Sequence, residues 1–116
     1  MRFLPTRVHG IIDYVWGALA FATPWALGFA GGTEGFLLMF FGVAAFAYSF
    51  ATDYEWGVIP VLSVPAHLAV DGAGGLFLMA APWLFGFADR VHWSYLAFGG
   101  FSVVASLVTR TKPAGR

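Results

Sequence analysis

The sequence predicts an all-α integral membrane protein whose four transmembrane helices form two parallel helical-hairpin repeats. The composition of the chain and an internal repeat carry this prediction. Of the 116 residues, 59% are hydrophobic and 10% are charged, whereas a soluble domain carries about 25% charged residues. Because this number of polar side chains is too small to cover the surface of a soluble globular protein, a membrane location is expected.

The charge balance and the residue types present exclude several classes of function. Six basic residues balance six acidic ones, so no basic surface is expected to bind nucleic acid. The chain has no cysteine, which excludes disulfides, thiol nucleophiles and thiolate metal sites. It also has no nucleophile-base-acid set, phosphate-binding loop or zinc motif. We therefore predict that the protein is not an enzyme.

Four apolar stretches predict the four helices. Each is close to the roughly 20 residues that cross a bilayer, and backbone polar groups in lipid are satisfied within helices. Residues 1–22 resemble a signal peptide, but the run contains Asp13 and stays apolar to Phe29, so we expect a retained helix. The stretches are 9–29, 34–52, 66–87 and 92–109.

The positions of the cations predict the orientation. Basic residues flank the first and last stretches, whereas only Arg90 lies in an internal loop. The positive-inside rule then places both termini in the cytoplasm. The flanking cations are Arg2, Arg7, Arg110, Lys112 and Arg116.

An internal repeat relates the two halves of a single membrane domain spanning residues 1–116. Shifting the sequence by 58 residues places His9 on His67 and Asp13 on Asp71, and the same shift pairs Gly42 with Gly100 in the second helices. The repeats cover about 7–50 and 65–108. Because each contains two helices, both enter the membrane from the same side, related by a pseudo-two-fold axis along its normal.

A Pro-Trp signature recurs near the end of the first helix of each repeat, as Thr23-Pro24-Trp25 and Ala81-Pro82-Trp83. This pattern resembles that of the SPW-repeat membrane proteins, although Thr and Ala replace the family's serine. The resemblance covers nearly the whole chain. It implies a multi-pass protein of a prokaryotic cell membrane and implies no established reaction.

The signature residues predict local structure. Each proline lacks the N–H that would bond the carbonyl four residues earlier, so a kink or an early helix end is expected at Pro24 and Pro82. Trp25 and Trp83 are expected to anchor the helix ends at the membrane interface. The first helix also has a small-residue stripe that includes Gly17, which favours close helix packing in the bundle interior.

The repeated pairs His9/Asp13 and His67/Asp71 are the candidate site. Ionisable groups within membrane spans are costly, but both pairs lie in the first turns of their helices. We favour a polar clasp that fixes helix register and depth. A proton or cation site, a divalent-metal site and bis-histidine haem ligation are the alternatives. No bound metal or cofactor is predicted.

These observations predict a structural or accessory component of the membrane. The expected partners are the lipid bilayer and, if the protein assembles further, a second copy or another membrane protein. The alternative function is a small transporter or channel that uses the His-Asp pairs to couple protons or cations. His92 has no counterpart in the first repeat, where Glu34 takes its place, and is expected to lie at the interface.

Overall fold

The computed structural model describes residues 1–115, and Arg116 lies outside the described residues. These residues form four α-helices and no strand, apart from two isolated backbone bridges. The all-helical prediction is therefore confirmed. The helices are α1 (Thr6–Ala26), α2 (Gly32–Phe50), α3 (Val64–Leu84) and α4 (Trp93–Val108).

Two of the four helices are long and apolar enough to cross a membrane by length and composition. These are α2, with 19 residues, and α3, with 21. Helix α1 also has 21 residues but includes Arg7, His9 and Asp13. Helix α4 has 16 residues, fewer than the roughly 20 that span a bilayer without local thinning.

Consecutive helices pack in pairs, α1 on α2 and α3 on α4. Each pair meets at two glycines: a Cβ added to Gly17 would lie 2.9 Å from the Gly42 carbonyl oxygen, and one added to Gly75 would lie 2.6 Å from that of Gly99. Hydrogen in place of a side chain allows this close approach. In each hairpin, the small-residue stripe of the first helix thus packs on the second helix.

This contact corrects the pairing of the second helices. Gly99, not Gly100, occupies the place that Gly42 has in the first hairpin, and a Cβ added to Gly100 would meet nothing within 4 Å. The second hairpin therefore has one residue fewer between its two contact glycines. The ungapped shift of 58 residues is wrong for α2 and α4, which correspond at a shift of 57.

Helices α1 and α3 end two residues after their prolines, as the sequence predicts. The Phe29 amide donates to the Pro24 carbonyl over 2.8 Å, and the Phe87 amide donates to the Pro82 carbonyl over the same distance. The intervening Gly28 has φ +80°, a left-handed conformation that side chains disfavour. This is a Schellman helix end, so the signature and the following Gly-Phe terminate the helix together.

At the end of the bundle where the Pro-Trp signatures lie, the two hairpins pack through an apolar core and two polar contacts. Leu38 of α2 and Leu78 of α3 are fully buried in this core. At that end, the Tyr95 hydroxyl donates to the Glu34 carbonyl. The Arg90 guanidinium also lies 3.2 Å from the Glu34 carboxylate.

The segments before α1 and after α4 lie at the opposite end of the bundle. The Phe3 amide donates to the Val108 carbonyl, and the Arg110 amide donates to the Leu4 carbonyl, so the segments before α1 and after α4 run together. A similar bridge joins Thr52 to Leu62 within residues 51–63, the segment between α2 and α3. We call this segment the connector.

Candidate functional site

The structure brings the four predicted polar residues together between the N-terminal parts of α1 and α3. We call these residues, His9, Asp13, His67 and Asp71, the His-Asp cluster. Their exposed fractions are 2%, 8%, 1% and 5%, respectively. Burying ionisable groups is costly unless they are paired, so the contacts within the cluster determine whether the fold can bury these four side chains.

Within the cluster, each histidine contacts both carboxylates through Nε2. His9 Nε2 lies 3.0 Å from Oδ1 of Asp13 and 2.9 Å from Oδ2 of Asp71. His67 Nε2 lies 3.0 Å from Oδ2 of Asp13 and 3.3 Å from Oδ2 of Asp71. Two of these four contacts join α1 to α3, so the cluster connects the two hairpins.

The Nδ1 atom of each histidine is held by a threonine. His9 Nδ1 lies 2.7 Å from Thr109 Oγ1, and His67 Nδ1 lies 2.8 Å from Thr52 Oγ1. Each threonine hydroxyl donates its proton to a backbone carbonyl of its own chain segment. The network therefore assigns a proton to each Nδ1, which donates to the threonine oxygen, and turns each Nε2 toward the carboxylates.

A tyrosine hydroxyl donates to each carboxylate. Tyr48 of α2 donates to Oδ1 of Asp71. Tyr54 of the connector donates to Oδ2 of Asp13 over 2.6 Å. Burial, together with the negative charge of Asp13, raises the pKa of Tyr54 above its usual 10.0, so this tyrosine remains a donor at neutral pH.

The connector covers the cluster on one side. The Thr6 hydroxyl donates to the Glu55 carboxylate, and the Trp56 indole donates to the Arg7 carbonyl over 2.9 Å. The Trp56 ring packs so closely on Gly10 that a Cβ there would lie 2.6 Å from it. A cavity of about 20 Å³, roughly the space of one water molecule, borders His9 and Asp71.

One nitrogen of the cluster makes no hydrogen bond. His67 Nε2 lies 3.0 Å from Oδ2 of Asp13, but this contact does not have the geometry of a hydrogen bond. The cluster also offers a metal one ligand atom from each of its four residues, and these atoms all lie within 4.8 Å of one another.

The structure separates the six signature residues from this site, since they lie at the far ends of α1 and α3. Trp25 and Trp83 are 64% and 59% exposed, so neither lines an internal pocket. The Thr23 hydroxyl donates to the carbonyl of Leu19, one turn earlier. Pro24, Ala81 and Pro82 are buried in the helix packing. His92 is also outside the cluster, with Nδ1 2.9 Å from the Ala88 carbonyl oxygen.

Four further residues of the site are not among those predicted from the sequence: Tyr48, Thr52, Tyr54 and Thr109. For the threonines, a signal was present: a shift of 57 aligns the Ser-x-x-Thr of residues 49–52 with that of residues 106–109. An ungapped comparison hides this match. The tyrosines lack repeated counterparts, because Ala105 corresponds to Tyr48 at that shift.

Comparison with known protein families finds a family model that matches this sequence. The SPW repeat domain matches residues 7–109, which include all four helices except the first residue of α1. Comparison with curated proteins and with solved structures finds no match.

Proposed function

The chain belongs to the SPW repeat family, a membrane-associated family of uncertain function, and we propose that it is a structural or accessory component of the membrane. In this proposal the His-Asp cluster is a polar clasp between two transmembrane hairpins. The observation that carries it is the mutual pairing of four buried ionisable side chains from α1 and α3.

A membrane setting is supported by the outer surface of the bundle. Large apolar side chains on all four helices point outward, including Val15, Phe46, Phe77 and Val104. An exposed apolar surface of this extent is stable in lipid and costly in water. We propose that all four helices span the bilayer of a prokaryotic cell as parallel hairpins related by a pseudo-two-fold axis.

The cations support a cytoplasmic location for the His-Asp cluster. Arg2 donates to the carbonyls of Ser106 and Thr109, beside the cluster, and Arg110 follows Thr109 directly. Arg90 lies at the opposite end. By the positive-inside rule, the end that carries Arg2, Arg110 and the connector is the cytoplasmic one.

The clasp is supported by the number of partners that the cluster has. Every member contacts the other hairpin, and two tyrosines and two threonines bond its outer atoms. A buried charge network stabilises a fold only when its members are satisfied in this way. Removal of one member leaves an uncompensated charge, which typically costs about 3–5 kcal/mol.

The alternative, coupling of protons or cations in a transporter or channel, requires a water-filled path to the cluster. The two cavities that border Asp71 have volumes of about 20 and 120 Å³. The larger one is lined mainly by apolar residues such as Phe40, Phe41 and Leu78. This arrangement favours the clasp over the alternative.

The test compares Asp13→Asn and Asp71→Asn with the wild type in two assays. One measures Tm in detergent, and the other measures proton and cation flux in liposomes. Asp89→Asn is the matched control, because the Asp89 side chain is 79% exposed. We expect Tm to be lower in Asp13→Asn and Asp71→Asn than in the wild type, and Asp89→Asn to keep the wild-type Tm. We expect neither the wild type nor any variant to carry a proton or cation flux.

The opposite pattern would overturn the proposal. If the cluster variants keep the wild-type Tm and abolish a flux that the wild type carries, the His-Asp cluster serves transport. The clasp would also be contradicted if the cluster variants kept the wild-type Tm and no protein, including the wild type, carried a flux.

A further inference from the structure

We propose that the His-Asp cluster binds one divalent first-row transition-metal ion of the Zn²⁺ type. The ligands are Nε2 of His9 and of His67 and one carboxylate oxygen each from Asp13 and Asp71. This inference rests on the proposed clasp, because the metal ion would join the same four side chains.

The first observation that carries the proposal is that His67 Nε2 lies beside two carboxylates but makes no hydrogen bond to either. The Nδ1 proton of His67 is committed to Thr52, and Nε2 is buried and faces the carboxylates without a hydrogen bond. A buried polar atom that lacks a well-directed hydrogen bond destabilises the fold. A cation lying between the ligand atoms satisfies this nitrogen without requiring it to point directly at either carboxylate.

The spacing of the ligand atoms is the second observation. Zn²⁺ bonds to imidazole nitrogen and carboxylate oxygen are about 2.0–2.2 Å, so the edges of a tetrahedral site are about 3.3–3.5 Å. Oδ2 of Asp71 lies 2.9 Å from His9 Nε2 and 3.3 Å from His67 Nε2, and the four ligand atoms, one from each residue, all lie within 4.8 Å of one another. The four ligand atoms therefore surround one centre, and small shifts of the side chains bring them to the spacing of a tetrahedral site.

The outer contacts of the ligands are the third observation. Metal-binding histidines usually bond their second nitrogen to a fixed group, and metal-binding carboxylates accept further hydrogen bonds. Here Thr109 and Thr52 hold the histidines, while Tyr48 and Tyr54 hold the carboxylates. These hydroxyls orient the four side chains and leave the two Nε2 atoms and one oxygen of each carboxylate facing the centre of the cluster.

The ligand set selects the class of metal. Two imidazoles and two carboxylates suit Zn²⁺ and its first-row neighbours, whereas Mg²⁺ and Ca²⁺ prefer six or more oxygen ligands. The two carboxylates also balance the charge of a divalent ion, so no net charge is buried. Any proton carried by an Nε2 atom leaves to solvent when the metal binds.

The test measures Zn²⁺ bound to the full-length protein in detergent. Protein treated with chelator and then washed is equilibrated with Zn²⁺, and bound metal is determined by elemental analysis and calorimetry. Co²⁺ is used in parallel, because a tetrahedral site gives intense visible absorption. We expect one Zn²⁺ per chain, a tetrahedral Co²⁺ spectrum and no competition from excess Mg²⁺.

Two pairs of variants locate the site. His67→Gln removes a ligand and is expected to weaken Zn²⁺ binding more than about 100-fold, whereas the matched His92→Gln leaves binding unchanged. Thr52→Val keeps all four ligands and is expected to weaken binding about 10- to 100-fold, with Thr111→Val as its exposed control. Helix content measured by circular dichroism identifies any variant that fails to fold.

Three results would overturn the metal site: wild-type protein without saturable Zn²⁺ binding, an octahedral Co²⁺ spectrum, or equal loss of binding in His92→Gln. The first two need no variant, so poor folding of a variant does not remove the test.

Tm of the metal-free protein distinguishes this inference from the clasp on which it rests. If the metal-free wild type has a higher Tm than metal-free Asp71→Asn, and Zn²⁺ does not raise the Tm of the wild type, the clasp stands and the metal site is wrong. If the two metal-free proteins are equally stable and Zn²⁺ stabilises only the wild type, the metal site stands and the metal-free clasp is wrong.

Discussion

The Nε2 atom of His9 lies 2.9 Å from Oδ2 of Asp71 on α3 and 3.0 Å from Oδ1 of Asp13 on its own helix. The contact between hairpins is thus as short as the contact within the helix. The Nδ1 atom of the same ring is held by Thr109, which follows α4. The first hairpin therefore supplies a histidine whose environment is completed mainly by the second.

The one-residue difference between the hairpins is testable with adjacent glycines of α4. Gly99→Ala places a Cβ 2.5 Å from the Gly75 carbonyl oxygen, so the helices must separate. We expect a loss of about 1–3 kcal/mol in the free energy of unfolding. Reversible unfolding in mixed detergent micelles, followed by circular dichroism, measures it.

Gly100→Ala is the matched control, because its Cβ meets nothing within 4 Å. It is expected to be neutral or to stabilise the helix by up to about 1 kcal/mol. A larger loss in Gly100→Ala than in Gly99→Ala would contradict the correspondence of Gly42 with Gly99.

The helix end after the first Pro-Trp signature is testable at Gly28. This residue has φ +80° and open space around it, so Ala there is penalised by backbone conformation alone. We expect Gly28→Ala to cost about 1–2 kcal/mol. Gly28→Asn is expected to cost less, since Asn tolerates the left-handed conformation better. Equal losses in Tm for the two variants would contradict this explanation.

The hydrogen bond from Tyr54 to Asp13 is testable by Tyr54→Phe. This change removes a donor from a buried carboxylate, so a loss of about 1–3 kcal/mol in the free energy of unfolding is expected. Tyr14→Phe is the matched control, because the Tyr14 hydroxyl donates to a backbone carbonyl at an exposed position. A loss as large in Tyr14→Phe as in Tyr54→Phe would argue against a special role for the contact with Asp13.

The raised pKa of Tyr54 also predicts that the stability of the protein decreases at alkaline pH. Burial and Asp13 raise the pKa of Tyr54 above 10.0, so in the folded protein it keeps its proton at a pH where the unfolded chain has lost it. Its stabilising contribution is complete below the unfolded pKa and decreases as pH rises above it. We expect Tm to fall more between about pH 9 and pH 11 in wild type than in Tyr54→Phe. If Tm decreased with pH equally in the wild type and in Tyr54→Phe, Tyr54 would not be the source of this pH dependence.

The proposed orientation is testable by labelling, because the chain has no cysteine. Lys112→Cys and Asp89→Cys place single thiols at opposite ends of the bundle. In intact cells, we expect a membrane-impermeant maleimide to label only position 89. In inverted membrane vesicles, position 112 is expected to react instead. The reverse pattern would place the His-Asp cluster on the outside.

Much of the fold follows from patterns visible in the sequence. The observed helix ends lie within about three residues of the predicted ones, because apolar runs and Gly-containing breaks determine where these helices begin and end. The meeting of the two His-Asp pairs also follows, since each pair is repeated at the same depth of its helix.

The partners of the cluster were much harder to predict. Thr52 and Thr109 lie just beyond helix ends whose correspondence depends on one deleted residue, so an ungapped comparison misaligns them. Tyr54 reaches Asp13 only because the connector folds back over the bundle. That path depends on tertiary contacts, such as the Trp56 indole with the Arg7 carbonyl, which no local pattern encodes.

The division of the cluster between the hairpins has a consequence for the order of synthesis. His9 and Asp13 leave the ribosome first, whereas Thr109, which holds the His9 ring, is made after all four helices. Until α3 is in place, the contacts of His9 with Asp71 and of Asp13 with His67 cannot form. In the proposed membrane setting, we therefore expect α1 to reach its final depth only after α3 and the segment that follows α4 have been made.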